Sequence, residues 1–113
     1  MAEDYVAGRD QKVVVHVDKT FRPLMGEFLK NVREDISLLL QAVDAGDFEA
    51  IGFTGHRMKG VGEIYGFSKI TEVGACLEKA AADGLSEEVR RLVAGLSDHL
   101  DRAEILYIDV DQI

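Results

Sequence analysis

The chain has 113 residues, 47% hydrophobic and 30% charged, which suits one compact domain and leaves no room for an ATP-binding kinase domain beside a second fold. Thirteen Lys and Arg against twenty-one Asp and Glu give a formal charge of −8, a field that repels phosphate backbones and anionic lipid and disfavours nucleic-acid and membrane partners. The single cysteine, Cys76, has no internal disulfide partner, and no apolar run approaches the roughly 20 residues of a membrane-spanning helix. Because Met1-Ala2-Glu3-Asp4 has neither the basic end nor the apolar stretch of a signal peptide, a cytoplasmic protein is expected.

Residues 1–17 read as an N-terminal arm, loose over 1–10. Lys12-Val13-Val14-Val15-His16-Val17 favours an extended strand, but a lone strand has no sheet to join, so an arm packed on the remaining domain is expected. From 18 to 113 the apolar positions recur three and four apart in four segments, and Pro23 is the only proline. The first helix is predicted from about Thr20 to Ala45, with Phe21, Leu24, Phe28, Val32, Ile36, Leu39, Leu40 and Val43 on its stripe and Pro23 in its first turn. Gly46 can supply a left-handed terminus and Asp47 can cap a second helix running to about Tyr65. Gly66 breaks it, Ser68 is the expected cap of the third helix, and Ile70, Val73 and Leu77 mark the stripe of that helix, with Cys76 read as a small core residue. Asp83-Gly84 ends it, Ser86 is the expected cap of the fourth, and Val89, Leu92, Val93, Leu96, Leu100, Ala103 and Leu106 carry the last stripe. The predicted fold is all-α, an antiparallel up-down-up-down four-helix bundle with an N-terminal arm.

The second helix breaks the helix rules that the others follow. Gly52, Gly55, Gly60 and Gly62 crowd into it and Gly66 follows, five of the eleven glycines in the chain, and each interior one costs about 1 kcal/mol relative to alanine. At 100° per residue, Phe48, Ile51, Gly55, Met58, Gly62 and Tyr65 form the core stripe, so Gly55 and Gly62 are explained by close approach of neighbouring helices. Gly52 and Gly60 are not. They lie four residues before and four after His56, which projects about 140° from the stripe centre, so the imidazole stands on a surface cleared of side chains. Lys59 is one turn further on and Glu63 two turns.

Neutral imidazole, with an ordinary pKa near 6.5, is a nucleophile at cytosolic pH, and an ammonium beside it can neutralise charge on a phosphoryl group. Phosphoryl transfer depends mainly on positioning and electrostatics, so one histidine and one lysine suffice if a partner brings Mg²⁺ and its own carboxylates. No metal site or resident cofactor is expected in the chain itself. Phe53 and Ile64 lie off the main stripe, either packed on the first helix or bordering an apolar docking surface. His16 and His99 serve as controls: each also has a basic residue three positions on, Lys19 and Arg102, but neither has the glycines.

His56-Arg57-Met58-Lys59-Gly60, with Gly66 ten residues after the histidine and Leu77-Glu78 in the next helix, resembles the histidine-containing phosphotransfer (HPt) domains of two-component phosphorelays, over roughly Asp18 to Ile108. The resemblance implies a four-helix bundle with His56 as phosphoacceptor and Lys59 assisting the phosphoryl group. It further implies that Gly60 leaves room for a response-regulator receiver domain, and that Glu78 hydrogen-bonds the other imidazole nitrogen and orients the ring. Receiver domains are then the expected partners, with a sensor histidine kinase as a further candidate and Mg²⁺ on the receiver. The chain is expected to act as a monomeric phosphocarrier without kinase activity of its own. The competing class is a helical interaction module that binds signalling partners without being phosphorylated. Val61 and Glu63 depart from the family pattern, the second by placing a negative charge near the phosphoryl site.

Overall fold

The computed structural model describes residues 11–110, so the expectation of a loose segment at 1–10 lies outside the described residues. Strand β1 (Val13–Asp18) leads through a 3-10 turn (Lys19–Leu24) into helices α1 (Met25–Ala45), α2 (Phe48–Tyr65), α3 (Ser68–Ala82) and α4 (Ser86–Arg102), and strand β2 (Ala103–Ile108) follows. The four helices form the expected bundle. No helix among the described residues is long and apolar enough to cross a membrane.

Two expectations about the ends are corrected. The arm is not a lone strand: β1 pairs in parallel with β2, with Val13 opposite Ala103 and Val17 opposite Tyr107. The partner comes from residues read above as the end of the last helix. Ala103 leaves helical geometry at ψ 132°, and Ala103, Ile105 and Tyr107 turn inward while Glu104 and Leu106 face out. Leu100, Ala103 and Leu106 fit a helical stripe equally well in sequence, so only a strand already lying alongside selects the extended form. Parallel strands need a crossover, and the whole bundle is that crossover. The first helix likewise begins later than expected. Asp18 accepts from the Thr20 amide at 3.0 Å and opens a 3-10 turn that contains Pro23.

Phe28, Val32, Leu39, Ile51, Met58, Ile70, Val73, Leu77, Val89, Val93 and Leu96 form the buried core with Phe67 and, from β1, Val17. Leu24 and Leu40, placed on the α1 stripe from sequence, remain exposed. Cys76 is also exposed, a correction: it lies 100° from Leu77 on the wheel of α3, off the stripe that Leu77 shares with Val73. Gly46 and Gly66 end α1 and α2 in the left-handed conformation, at φ 70° and 72°. Asp47 caps α2 by accepting from the Ala50 amide at 3.1 Å. Ser68 and Ser86 are not caps. Helical bonding starts one residue earlier, at the Phe67 and Leu85 carbonyls, which accept from Thr71 at 3.3 Å and Val89 at 3.1 Å.

The glycines of α2 bring α2 and α3 together. A Cβ on Gly55 would sit 2.8 Å from the Gly74 carbonyl oxygen and 2.9 Å from the Glu78 amide, and one on Gly62 would lie 2.6 Å from the Thr71 amide. Gly74 answers from α3, where a Cβ would meet the Lys59 amide at 2.5 Å. Backbone therefore packs on backbone, and the consequence is positional: Lys59 and Glu78 face each other across the closest part of the contact.

Candidate functional site

His56 projects from the middle of α2 with 69% of its side chain exposed. Its Nδ1 lies 2.9 Å from Glu78 Oε2, a partner carried by α3. An ionised carboxylate only accepts, so this bond places the hydrogen on Nδ1 and, in the neutral ring, leaves the lone pair on Nε2. The other oxygen of Glu78 lies 3.7 Å from Lys59 Nζ, an ion pair beyond hydrogen-bonding distance. One carboxylate thus holds the imidazole in a single tautomer and tethers the ammonium loosely beside it. The close α2–α3 contact set by Gly55 and Gly74 makes both approaches possible.

The surface around the imidazole is open, for two different reasons. Gly60 has nothing within 4 Å of where a Cβ would be, and Gly52 has only the Ala81 Cβ at 3.6 Å, an ordinary contact. Among the described residues no packing demands either glycine, unlike Gly55 and Gly62. Gly52, Phe53, His56, Glu78, Ala81 and Ala82 line a shallow groove running from the imidazole toward the start of α2. Phe53 is 71% exposed and Ile64 65%, so neither packs on α1 as one reading of the sequence held. Phe53 joins the groove beside His56, whereas Ile64 does not line it. Glu63 is exposed, and Val61 packs partly against the core.

Arg57, next to His56 in sequence, is not a free charge at the site. It donates from Nη2 to Asp35 Oδ1 at 2.8 Å, and Asp35 is the buried charged residue of the core, reached from α1. The sequence carried a signal for this pair: Asp35 sits on the same face as Phe28, Val32 and Leu39, and an acid on an apolar stripe needs a cation to meet it. Gly74 was equally legible, as a glycine interior to α3 on the stripe side. The control histidines differ from His56. His16 is exposed on β1, and His99 is partly buried, edge-on to Phe67 with ring centroids 5.8 Å apart. Burial holds the His99 imidazole below its ordinary pKa, and Lys69 and Arg102 push in the same direction. Among the described residues no cluster of three or more His, Cys, Asp or Glu is placed to hold a metal ion.

Comparison with curated proteins finds no match, and comparison with solved structures finds none either. A family model described as the Hpt domain matches residues 23–105, which span all four helices and the paired His56 and Glu78. On that match over most of its length, the chain belongs to the Hpt domain family, whose members act in histidine phosphotransfer within phosphorelays.

Proposed function

We propose that His56 accepts a phosphoryl group from the aspartyl phosphate of a receiver domain and returns it to the same or a second receiver. The observation that carries this reading is the 2.9 Å contact between His56 Nδ1 and Glu78, which leaves Nε2 as the nucleophile on a cleared surface. In the forward step the Nε2 lone pair attacks phosphorus in line. The N–P bond forms as the acyl-phosphate P–O bond breaks, and the aspartate carboxylate leaves with the electron pair. No proton moves. Since Nδ1 keeps its hydrogen, the phosphorylated ring carries a positive charge, and Glu78 offsets it at hydrogen-bonding range. Lys59, tethered only loosely, is free to swing toward the phosphoryl oxygens. Mg²⁺ and the acid residues that bind it belong to the receiver. The chain supplies no nucleotide-binding element and serves as carrier, not kinase.

The test is label transfer. Incubation with a phosphorylated receiver and Mg²⁺ should yield acid-labile, base-stable label on the wild-type chain and none on His56→Gln. Label retained by His56→Gln would overturn the assignment. No label from any of a panel of receivers would favour the non-phosphorylated interaction module instead.

A further inference from the structure

Away from His56, the two-stranded sheet has a feature that phosphotransfer does not use. Among the described residues β1 pairs with β2 alone, so one edge of β1 has no strand beside it. Val13, Val14, Val15 and His16 all line one groove of about 310 Å³, whose other wall is Gly66, Phe67, Ser68, Lys69 and His99. Consecutive strand residues point to opposite faces, so a groove touching four in a row runs along the strand edge, where backbone amides and carbonyls lie. Edge strands in monomers are usually blunted by lysine, proline or a bulge in their middle. Val13–Val17 has none of these, and Val14 is 51% exposed.

We propose that this edge is a self-association surface on which β1 of a second copy pairs antiparallel, joining two sheets into one of four strands. The pattern of β1 selects the register. Val13, Val15 and Val17 turn inward while Lys12, Val14 and His16 are exposed, so only registers that keep inward residues opposite inward residues are allowed. With Val15 opposite its own copy on the twofold axis, Val13 meets Val17, Val14 meets His16, and Lys12 meets Asp18, each pair occurring twice. A shift by two residues either way keeps the faces but loses the Lys12–Asp18 match. Lys12 is exposed and Asp18, already accepting from the Thr20 amide through Oδ1, lies partly exposed at the far end of the strand. An isologous interface needs this kind of self-complementarity, with opposite charges at its two ends and apolar pairs between. From sequence a monomeric phosphocarrier is expected, with an arm that has no sheet to join. The paired strand supplies an edge and changes that expectation.

A six-residue strand pair is a small interface, so the dimer should be weak, forming between about 10 µM and about 1 mM protein. Sedimentation velocity of the full chain over that range should show the mass rising from 12.5 kDa toward twice that value. Lys12→Glu faces Asp18 with a like charge and should weaken association about tenfold, as should Asp18→Lys, which faces Lys12. An equimolar mixture of the two variants should recover the wild-type dimer, because each copy then meets an opposite charge. In wild type, hydrogen exchange at the outward amides of 13–17 should slow as concentration rises. A chain that stays monomeric through 1 mM, or a dimer indifferent to both charge reversals, would overturn the proposal. Neither variant touches the His56 site, so phosphotransfer provides an internal control for folding.

Discussion

Gly55 and Gly60 stand on the same helix, yet a side chain at each would meet opposite surroundings. A methyl on Gly55 would drive into the Gly74 carbonyl and the Glu78 amide at 2.8 and 2.9 Å, and backbone cannot swing aside. Gly55→Ala should therefore cost roughly 1–3 kcal/mol in urea unfolding, the range of overpacked cores, and should disturb the Glu78 contact to His56 as well. Gly60→Gln meets nothing within 4 Å. It should unfold within about 0.5 kcal/mol of wild type, because surface changes away from packing are nearly neutral. Its transfer rate from a phosphorylated receiver should nevertheless collapse, since the new side chain occupies the approach to Nε2. A Gly60→Gln variant with wild-type transfer would show that the cleared surface has no role. Both glycines were visible in sequence as anomalies, and the wheel separated inward from outward. Gly74 stood on the stripe side of its own helix, but the wheel could not show that it meets Gly55 backbone to backbone, because close contact between two helices is a property of the pair.

At the scale of elements, local signals decided the helix ends wherever one side chain or one backbone conformation was enough. Gly46 and Asp47 act as read, one by its left-handed φ of 70° and the other by its bond to Ala50. Asp47→Ala should cost about 1 kcal/mol in chemical unfolding with little effect on phosphotransfer, since the start of α2 lies more than two turns before His56. A wild-type midpoint for that variant would mean the cap is replaced by another acceptor. Ser68 and Ser86 show where such signals fail. Each is followed by a helix, but Phe67, with no exposed surface, is fixed by burial and sets the start of α3 one residue earlier. The last helix fails in a different way. Residues 103–106 carry apolar positions consistent with helix or strand, and the choice depends on β1, about 90 residues away in sequence.

For the molecule as a whole, the charge of −8 is little relieved around the site: Arg57 is taken by Asp35, and Lys59 stands 3.7 Å from the opposing charge of Glu78. On the proposed function, a receiver would dock through shape and apolar contact, with exposed Phe53 offered beside His56, more than through steering by local positive charge. Stability should respond to pH through His99, where the sheet, α3 and α4 meet. Lys69 and Glu72 face it from α3, Arg102 and Asp98 from α4, and His16 from β1 lines the same groove. Because its folded pKa is depressed, both folded and unfolded states are neutral there above the ordinary imidazole value. As pH falls through about 6.5 the unfolded chain binds the proton first, so the fold loses stability until the folded pKa is passed. Urea midpoints from about pH 8 to about pH 5 should fall in wild type, and His99→Leu should flatten that part of the profile. An unchanged slope would place the loss elsewhere.

The sequence alone determined the four helices, the direction in which His56 points, and the Lys59 and glycine surroundings, because each depends on spacing along a single helix. Only the tertiary structure decided that Glu78 reaches His56, that Arg57 is committed to a buried carboxylate, and that the two ends of the domain meet as a parallel pair. Those are contacts between elements distant in the chain, and burial and backbone pairing choose among local conformations that the residues by themselves leave open.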